Sequence, residues 1–344
     1  MSHLIMKKNL RRVELDRITI VGMGLIGSSL GMALKKAEIP AEIVGTDRDR
    51  GVARRAQQAG ASDRTETNPI SAIRGSKMVI LATPVGGIRD LMELYGPELE
   101  DGCIVTDTGS TKAQVLRWAE QYLPDRVNFV GGHPMAGREI SGPEGAQADL
   151  FKNATYCIIP GKTSSQKAVE AIVKMADTIE AKPYFIDPVE HDSFVASVSH
   201  LPLVLSSLLM KINADNSSWP EVSKVASTGF KDLTRLASGS PEMSRDICAT
   251  NPELIIRWLD QFKNEIDSFK TLLENGNPDI LWKFFDDAWE ARDRWLQDKI
   301  LAKGLVPNPG LPTTVEMMGG MVLGDRSAGK LREMWDWQND PKQR

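Results

Sequence analysis

Between Arg17 and Ile186 seven short apolar runs, RITIVG, EIVGTD, MVILATP, CIVTDTG, NFVGGHP, TYCIIP and KPYFID, alternate with amphipathic stretches of helical period. The runs are almost unbroken in Val, Ile and Leu, as strands covered by helices on both faces must be, so this region is expected to form a mostly parallel, doubly wound α/β sheet. After Ile186 the strand signal stops. Asp187-Pro188 reads as an N-cap followed by proline at the first helical position, opening a helix that carries HDSFVASVSHLPLVLSSLLMKI to about Asn213. Helical patterns continue through PELIIRWLDQFKNEIDSFKTLLE and PDILWKFFDDAWEARDRWLQDKI, and from Lys303 the chain turns Pro- and Gly-rich without a period. The expected organisation is a sheet domain over 1–186, an all-helical domain over 187–302 and a tail of unassigned role over 303–344.

The chain's 344 residues exceed one ordinary domain, and 41% hydrophobic content fills two cores rather than one oversized core. A net charge of -4 with acids and bases interspersed leaves no broad basic face for nucleic acid. The cluster Lys7, Lys8, Arg11 and Arg12 reads as a solvated N-terminal arm. Cys103, Cys157 and Cys248 are far apart and show no CxxC spacing, which argues against a disulfide framework and a zinc site and for a reducing cytoplasm. Met1 to Arg12 holds no signal-peptide run, and no later stretch is expected to reach the roughly 20 apolar residues that span a bilayer.

Gly22-Met23-Gly24-Leu25-Ile26-Gly27 follows the first strand directly and opens a helix, the context in which GxGxxG is a strong dinucleotide signal. The sheet domain is therefore of Rossmann type. Asp47 ends the second strand, placed to accept both ribose hydroxyls and to repel the extra phosphate of NADP, so NAD is the expected cofactor. Arg48 or Arg50 could instead neutralise a 2'-phosphate, and Asp47 could merely cap the next helix. Thr83-Pro84-Val85, at the end of the MVILATP strand, lies where such a fold borders its cofactor.

Gly131-Gly132-His133-Pro134-Met135-Ala136-Gly137 puts a histidine at the C-terminal end of a buried strand, and Thr106-Asp107-Thr108-Gly109-Ser110-Thr111-Lys112 brings a hydroxyl to a neighbouring strand end. At these segments the chain resembles the prephenate/arogenate dehydrogenase family, whose signature is GxHPMAG with a serine shortly after DxG. SHLPLVLS (199–206) and STGFKDLTRLASGSPEMSRDI (227–247) extend the resemblance, which covers about Arg17 to Lys299. Leu203 and Ser244 depart from it, standing where many relatives have a second histidine and a tryptophan. The pocket wall is expected to differ there. With no N-terminal chorismate-mutase segment and about 45 residues after Lys299, the enzyme looks monofunctional.

The resemblance implies oxidative decarboxylation of prephenate, or of arogenate, on the route to tyrosine. It makes His133 the general base and gives Ser110 a hydrogen bond to the histidine or the substrate hydroxyl, fixing the tautomer. An imidazole suits the task because its ordinary pKa of about 6.5 lies near working pH. Arg235 is assigned to a substrate carboxylate, although an i,i+3 pair with Asp232 would explain it without function. His200, two residues before Pro202 in a helix the proline must disturb, is assigned to a substrate-contacting gate. His191 lies half a turn away from His200 on an ideal helix and reads as structural. Trp282, Phe285, Trp289 and Leu296 form an apolar stripe expected to pack against this chain or a twin, as in a homodimer. Two rivals remain: a 6-phosphogluconate or hydroxyacid type of dehydrogenase, for which no lysine stands out near His200, and a non-catalytic NAD-binding sensor. Retention of Ser110, His133, His200 and Arg235 together opposes the sensor.

Overall fold

The computed structural model describes residues 15–302, so the basic N-terminal cluster and the 303–344 tail lie outside the described residues. One eight-stranded sheet has the order β3-β2-β1-β4-β5-β6-β7-β8, built from β1 (Arg17–Val21), β2 (Glu42–Thr46), β3 (Arg64–Thr65), β4 (Met78–Leu81), β5 (Ile104–Asp107), β6 (Asn128–Pro134), β7 (Thr155–Pro160) and β8 (Lys182–Phe185). All seven expected runs are strands. β3 was not expected, because two residues paired only with β2 leave no apolar run to read. The order reverses between β1 and β4, the switch point outside which such sheets hold ligands. β7 pairs antiparallel with β6 and parallel with β8, so the last two strands run against the rest.

Helices α1 (Leu25–Lys36), α2 (Arg50–Gln58), α3 (Pro69–Ile73), α4 (Val85–Tyr95), α5 (Ala113–Tyr122) and α6 (Gln166–Thr178) connect these strands. β4 and β5 are buried at every residue, which requires cover on both faces, and Val79, Leu81, Val105, Phe129 and Ile159 lie in one core cluster with Ile88 and Met92 of α4.

Asp187 caps α7 (Pro188–Val195) as the sequence implied, accepting from the amides of Val189 and Glu190. A π turn over Ala196–His200 separates α7 from α8 (Leu201–Ala214). Pro202 explains it: the proline has no N–H and its ring crowds the carbonyl of Val198, so the chain gains a residue there and Leu201 donates to Ala196. By length and a mean hydropathy of 1.6, Pro188–Ala214 does reach what a bilayer-crossing helix needs, which corrects the sequence expectation. The stretch nevertheless carries buried His191, Asp192 and His200, and an apolar core helix meets the same criterion. Next come the short α9 (Trp219–Val222) and α10 (Thr228–Leu233), then α11 (Pro241–Thr250).

Contacts divide the chain into compact units at Ile255/Ile256, within α12 (Pro252–Asn275). In the second unit α12 is followed by α13 (Pro278–Ala302), and Phe269, Phe284 and Phe285 form a cluster of rings with centroids 5.0 to 6.0 Å apart. Of the expected stripe, Trp282, Phe285 and Trp289 are 68%, 59% and 65% exposed.

Candidate active site

The turn after β1 separates three demands for glycine. Gly22 has φ +94°, and a Cβ there would stand 2.5 Å from the Ala82 carbonyl oxygen at the end of β4. A Cβ on Gly27 would lie 1.9 Å from the Gly22 oxygen, so helix α1 can sit this close to the turn only with glycine. At Gly24 an added Cβ would meet nothing within 4 Å. The protein's own packing does not need that glycine; the open space beside the first amides of α1, at Leu25 and Ile26, is where a pyrophosphate would lie.

Asp47 is tied to this turn, its Oδ2 accepting from the Met23 amide at 2.8 Å and its Oδ1 from the Asp49 amide at 2.9 Å. Asp49, not Asp47, caps α2 through the amides of Gly51 and Val52, which removes the helix-cap explanation of Asp47. Arg48 is forked onto Glu242 of α11 at 2.7 and 3.2 Å, and so is engaged rather than turned to the turn. Past β4, the Thr83 hydroxyl is buried with no hydrogen-bond partner among the described residues, Pro84 precedes α4, and Val85 begins it. An orphaned hydroxyl, an open glycine and an anchored carboxylate around one strand switch point fit a dinucleotide.

A second cluster stands at the ends of β5 and β6. Asp107 braces both: Oδ1 accepts from the Gly132 amide at 3.2 Å, and Oδ2 from the Gly109 amide at 2.8 Å and from the ammonium of fully buried Lys112. This carboxylate fixes the Ser110 loop against the strand end that bears His133. Gly132 is also needed internally, since its Cβ would lie 2.6 Å from the Asp107 carbonyl oxygen.

His133 is 8% exposed, and its Nδ1 is 2.9 Å from Nε2 of His191. Nδ1 of His191 is 2.8 Å from Oδ1 of Asp192, whose two oxygens also accept the amides of Lys112 and Ala113 at 2.7 and 2.9 Å. The sequence reading that sent His191 elsewhere is therefore corrected. Nine residues of ideal helix put His191 and His200 about 180° apart, but the extra residue of the π turn closes the angle to about 80°. The signal was available in Pro202 and in the adjacent His191-Asp192 pair, but its phase consequence was not.

Burial holds the His133 imidazole well below its ordinary 6.5, helped by His191, Lys112 and His200, so His133 is neutral where it stands. His200 is fully buried, and burial pulls it down to about 4 against the raising influence of Asp192 and the Ser110 backbone. The Asn251 Nδ2 donates to the Asp192 carbonyl at 2.9 Å and faces His200 Nδ1 at 3.3 Å. His200 Nδ1 is thus the acceptor, and its proton sits on Nε2, which has no partner of good geometry among the described residues. The Ser110 side chain is half-buried, and it is His191 rather than the Ser110 hydroxyl that bonds His133 Nδ1.

Arg235 opens a short turn, Arg235–Ser238, and pairs with Glu139 of the loop after HPMAG instead of Asp232. It is 54% exposed, leaving further donors of its guanidinium open. Of the two departures, Leu203 is buried and the Ser244 hydroxyl turns back to donate to the Ser240 carbonyl at 3.1 Å.

Residues 30–185 match the family model described as prephenate dehydrogenase, nucleotide-binding domain, and 187–287 match prephenate dehydrogenase, dimerization domain. Prephenate dehydrogenase of Bacillus subtilis is 37% identical over 280 residues, covering 81% of this chain and 76% of that protein. Cyclohexadienyl dehydrogenase of Zymomonas mobilis is 28% identical over 277 residues, covering 80% and 94%. Among solved structures, prephenate dehydrogenase from A. aeolicus in complex with hydroxyphenyl propionate and NAD+ has TM-score 0.76 and 27% identity, covering 82% of this chain and 99% of its own. Synechocystis arogenate dehydrogenase has TM-score 0.67 and 28% identity, covering 81% and 99%.

Proposed function

Given that this chain belongs to the prephenate dehydrogenase family, we propose that it oxidises prephenate to 4-hydroxyphenylpyruvate and carbon dioxide, using NAD. The observation that carries the reading is a buried, neutral His133 at the strand end, its Nδ1 engaged by His191 at 2.9 Å, which leaves Nε2 as the nitrogen that meets the substrate. That nitrogen accepts the proton of the ring hydroxyl as the carbon beneath it gives up hydride. NAD, bound on the glycine turn, supplies the hydride acceptor. Loss of the ring carboxylate as carbon dioxide leaves its electron pair to aromatise the ring, and the proton held on His133 returns to the phenolate oxygen. The Ser110 hydroxyl is a donor available to the substrate, and Arg235 is the partner for its carboxylate. NADH formation from prephenate, followed by absorbance, tests the reading; no turnover with prephenate or arogenate would refute it.

One observation favours arogenate as a second reading. Glu139 lies on Arg235, and a carboxylate there could receive the ammonium that arogenate carries where prephenate has a keto group. Parallel kinetics decide between them, and Glu139→Gln should penalise arogenate alone.

The proposal extends to a cytoplasmic homodimer. The exposed aromatic stripe of α13 supports burial between two copies, and sedimentation of active enzyme as a monomer at micromolar concentration would refute it.

A further inference from the structure

Two side chains that the reading above does not use complete a buried chain of hydrogen bonds behind His133. Asp192 spends its oxygens on two backbone amides at the N-terminus of α5, where the helix dipole favours an anion, and on His191. A carboxylate only accepts, so the proton between it and His191 sits on His191 Nδ1. In the neutral ring His191 Nε2 is then a bare acceptor, which makes His133 Nδ1, 2.9 Å away, the donor. This order leaves His133 Nε2 without a proton. His191 and Asp192 are 1% and 2% exposed, so water does not compete for these bonds.

We propose that Asp192 and His191 are positioning residues for His133, holding it as the Nδ1–H tautomer and sharing the positive charge that forms when Nε2 takes the substrate proton. The inference rests on the prephenate or arogenate reading. In the step, the substrate O–H bond breaks and the proton joins His133 Nε2, while the His133 Nδ1–H stays hydrogen-bonded to His191 Nε2. No proton passes to Asp192. The other ionisable groups facing this chain are Lys112, whose ammonium is spent on Asp107, and His200, whose Nδ1 faces Asn251.

Without the acceptor of His191, the proton of neutral His133 is free to move to Nε2, turning the base into a donor. His191→Leu should lower kcat by about a hundredfold or more, with KM within about threefold of wild type, because losing the tautomer of a catalytic histidine costs up to about ten-thousandfold where a carboxylate orients it. His191→Gln offers an amide oxygen to His133 and should recover at least about tenfold of that loss. A structural role alone would move stability and KM and give no such rescue. A second measurement needs no variant: the chain has only four histidines, so 15N-histidine NMR of the wild type can report the tautomer of each. The expected result is protonation of His133 at Nδ1. Protonation at Nε2 would overturn the proposal, as would a folded His191→Leu variant with kcat within about threefold of wild type. Wild-type protein inactive on both substrates would instead overturn the functional reading, and with it any part of this relay in turnover.

Discussion

Replacing His200 by glutamine should flatten the acid limb of the stability curve. Folding takes the His200 imidazole from the ordinary 6.5 to about 4, chiefly by burial at 0% exposure. A folded-state pKa below the unfolded one means that the unfolded chain binds the proton more tightly. The stabilisation is present above pH 6.5 and drains away as pH falls from 6.5 toward about 4. A shift of about 2.5 units at about 1.36 kcal/mol each gives about 3 kcal/mol, a large part of an ordinary domain's stability of about 5–15 kcal/mol. Urea unfolding at several pH values across this window, on wild type and His200→Gln, isolates the effect from His133, which is shifted in the same direction and remains in both proteins. The glutamine variant should start less stable near neutrality and lose less on acidification. Parallel losses in the two proteins would refute the neutral, buried state assigned to His200.

Three further outcomes follow from the geometry. Asp47→Ser should narrow the preference for NAD over NADP measured as kcat/KM, because it removes the carboxylate beside the glycine turn; an unchanged ratio would show that Asp47 does not read the ribose. Gly24→Val should fold with a melting temperature near wild type yet bind NAD far more weakly by calorimetry, since its side chain enters open space, whereas Gly27→Val should lose the fold. Arg235→Gln should raise KM by about ten to two hundredfold, the equivalent of about 1.5–3 kcal/mol for a charge-assisted bond, with kcat little changed; a kcat loss at unchanged KM would contradict its binding role.

The sheet was legible because its strands are buried on both faces, which stamps continuous apolar runs such as MVILATP onto the chain. β3 was not, since two residues carry no period, nor was the reversed direction of β7, which depends on pairing with β6. Local chemistry was equally readable at Asp187-Pro188 and at Gly22 to Gly27, where neighbours in sequence form the motif. His191 was misjudged because its direction depends on a π turn, and helical arithmetic has no place for an inserted residue. The partners of Arg48 and Arg235, Glu242 and Glu139, stand 194 and 96 positions away, beyond any i,i+3 argument. The exposure of Trp282 and Trp289 could not be read from the sequence, which shows an apolar face but not what covers it.

The central claim is that His133 takes the proton of the substrate hydroxyl, and the pH dependence of turnover by wild type and His133→Asn tests it most directly. Asparagine can hydrogen-bond but cannot take the proton, so kcat with prephenate and NAD should fall by about a hundredfold to ten-thousandfold while KM stays near wild type. In the wild type kcat/KM should hold as pH drops past 6.5 and fail only well below that, because burial lowers the pKa of the base whose neutral form is needed. That acid limb should be absent from the variant. A near-normal kcat in His133→Asn, with the same pH profile as wild type, would mean that another group takes the proton.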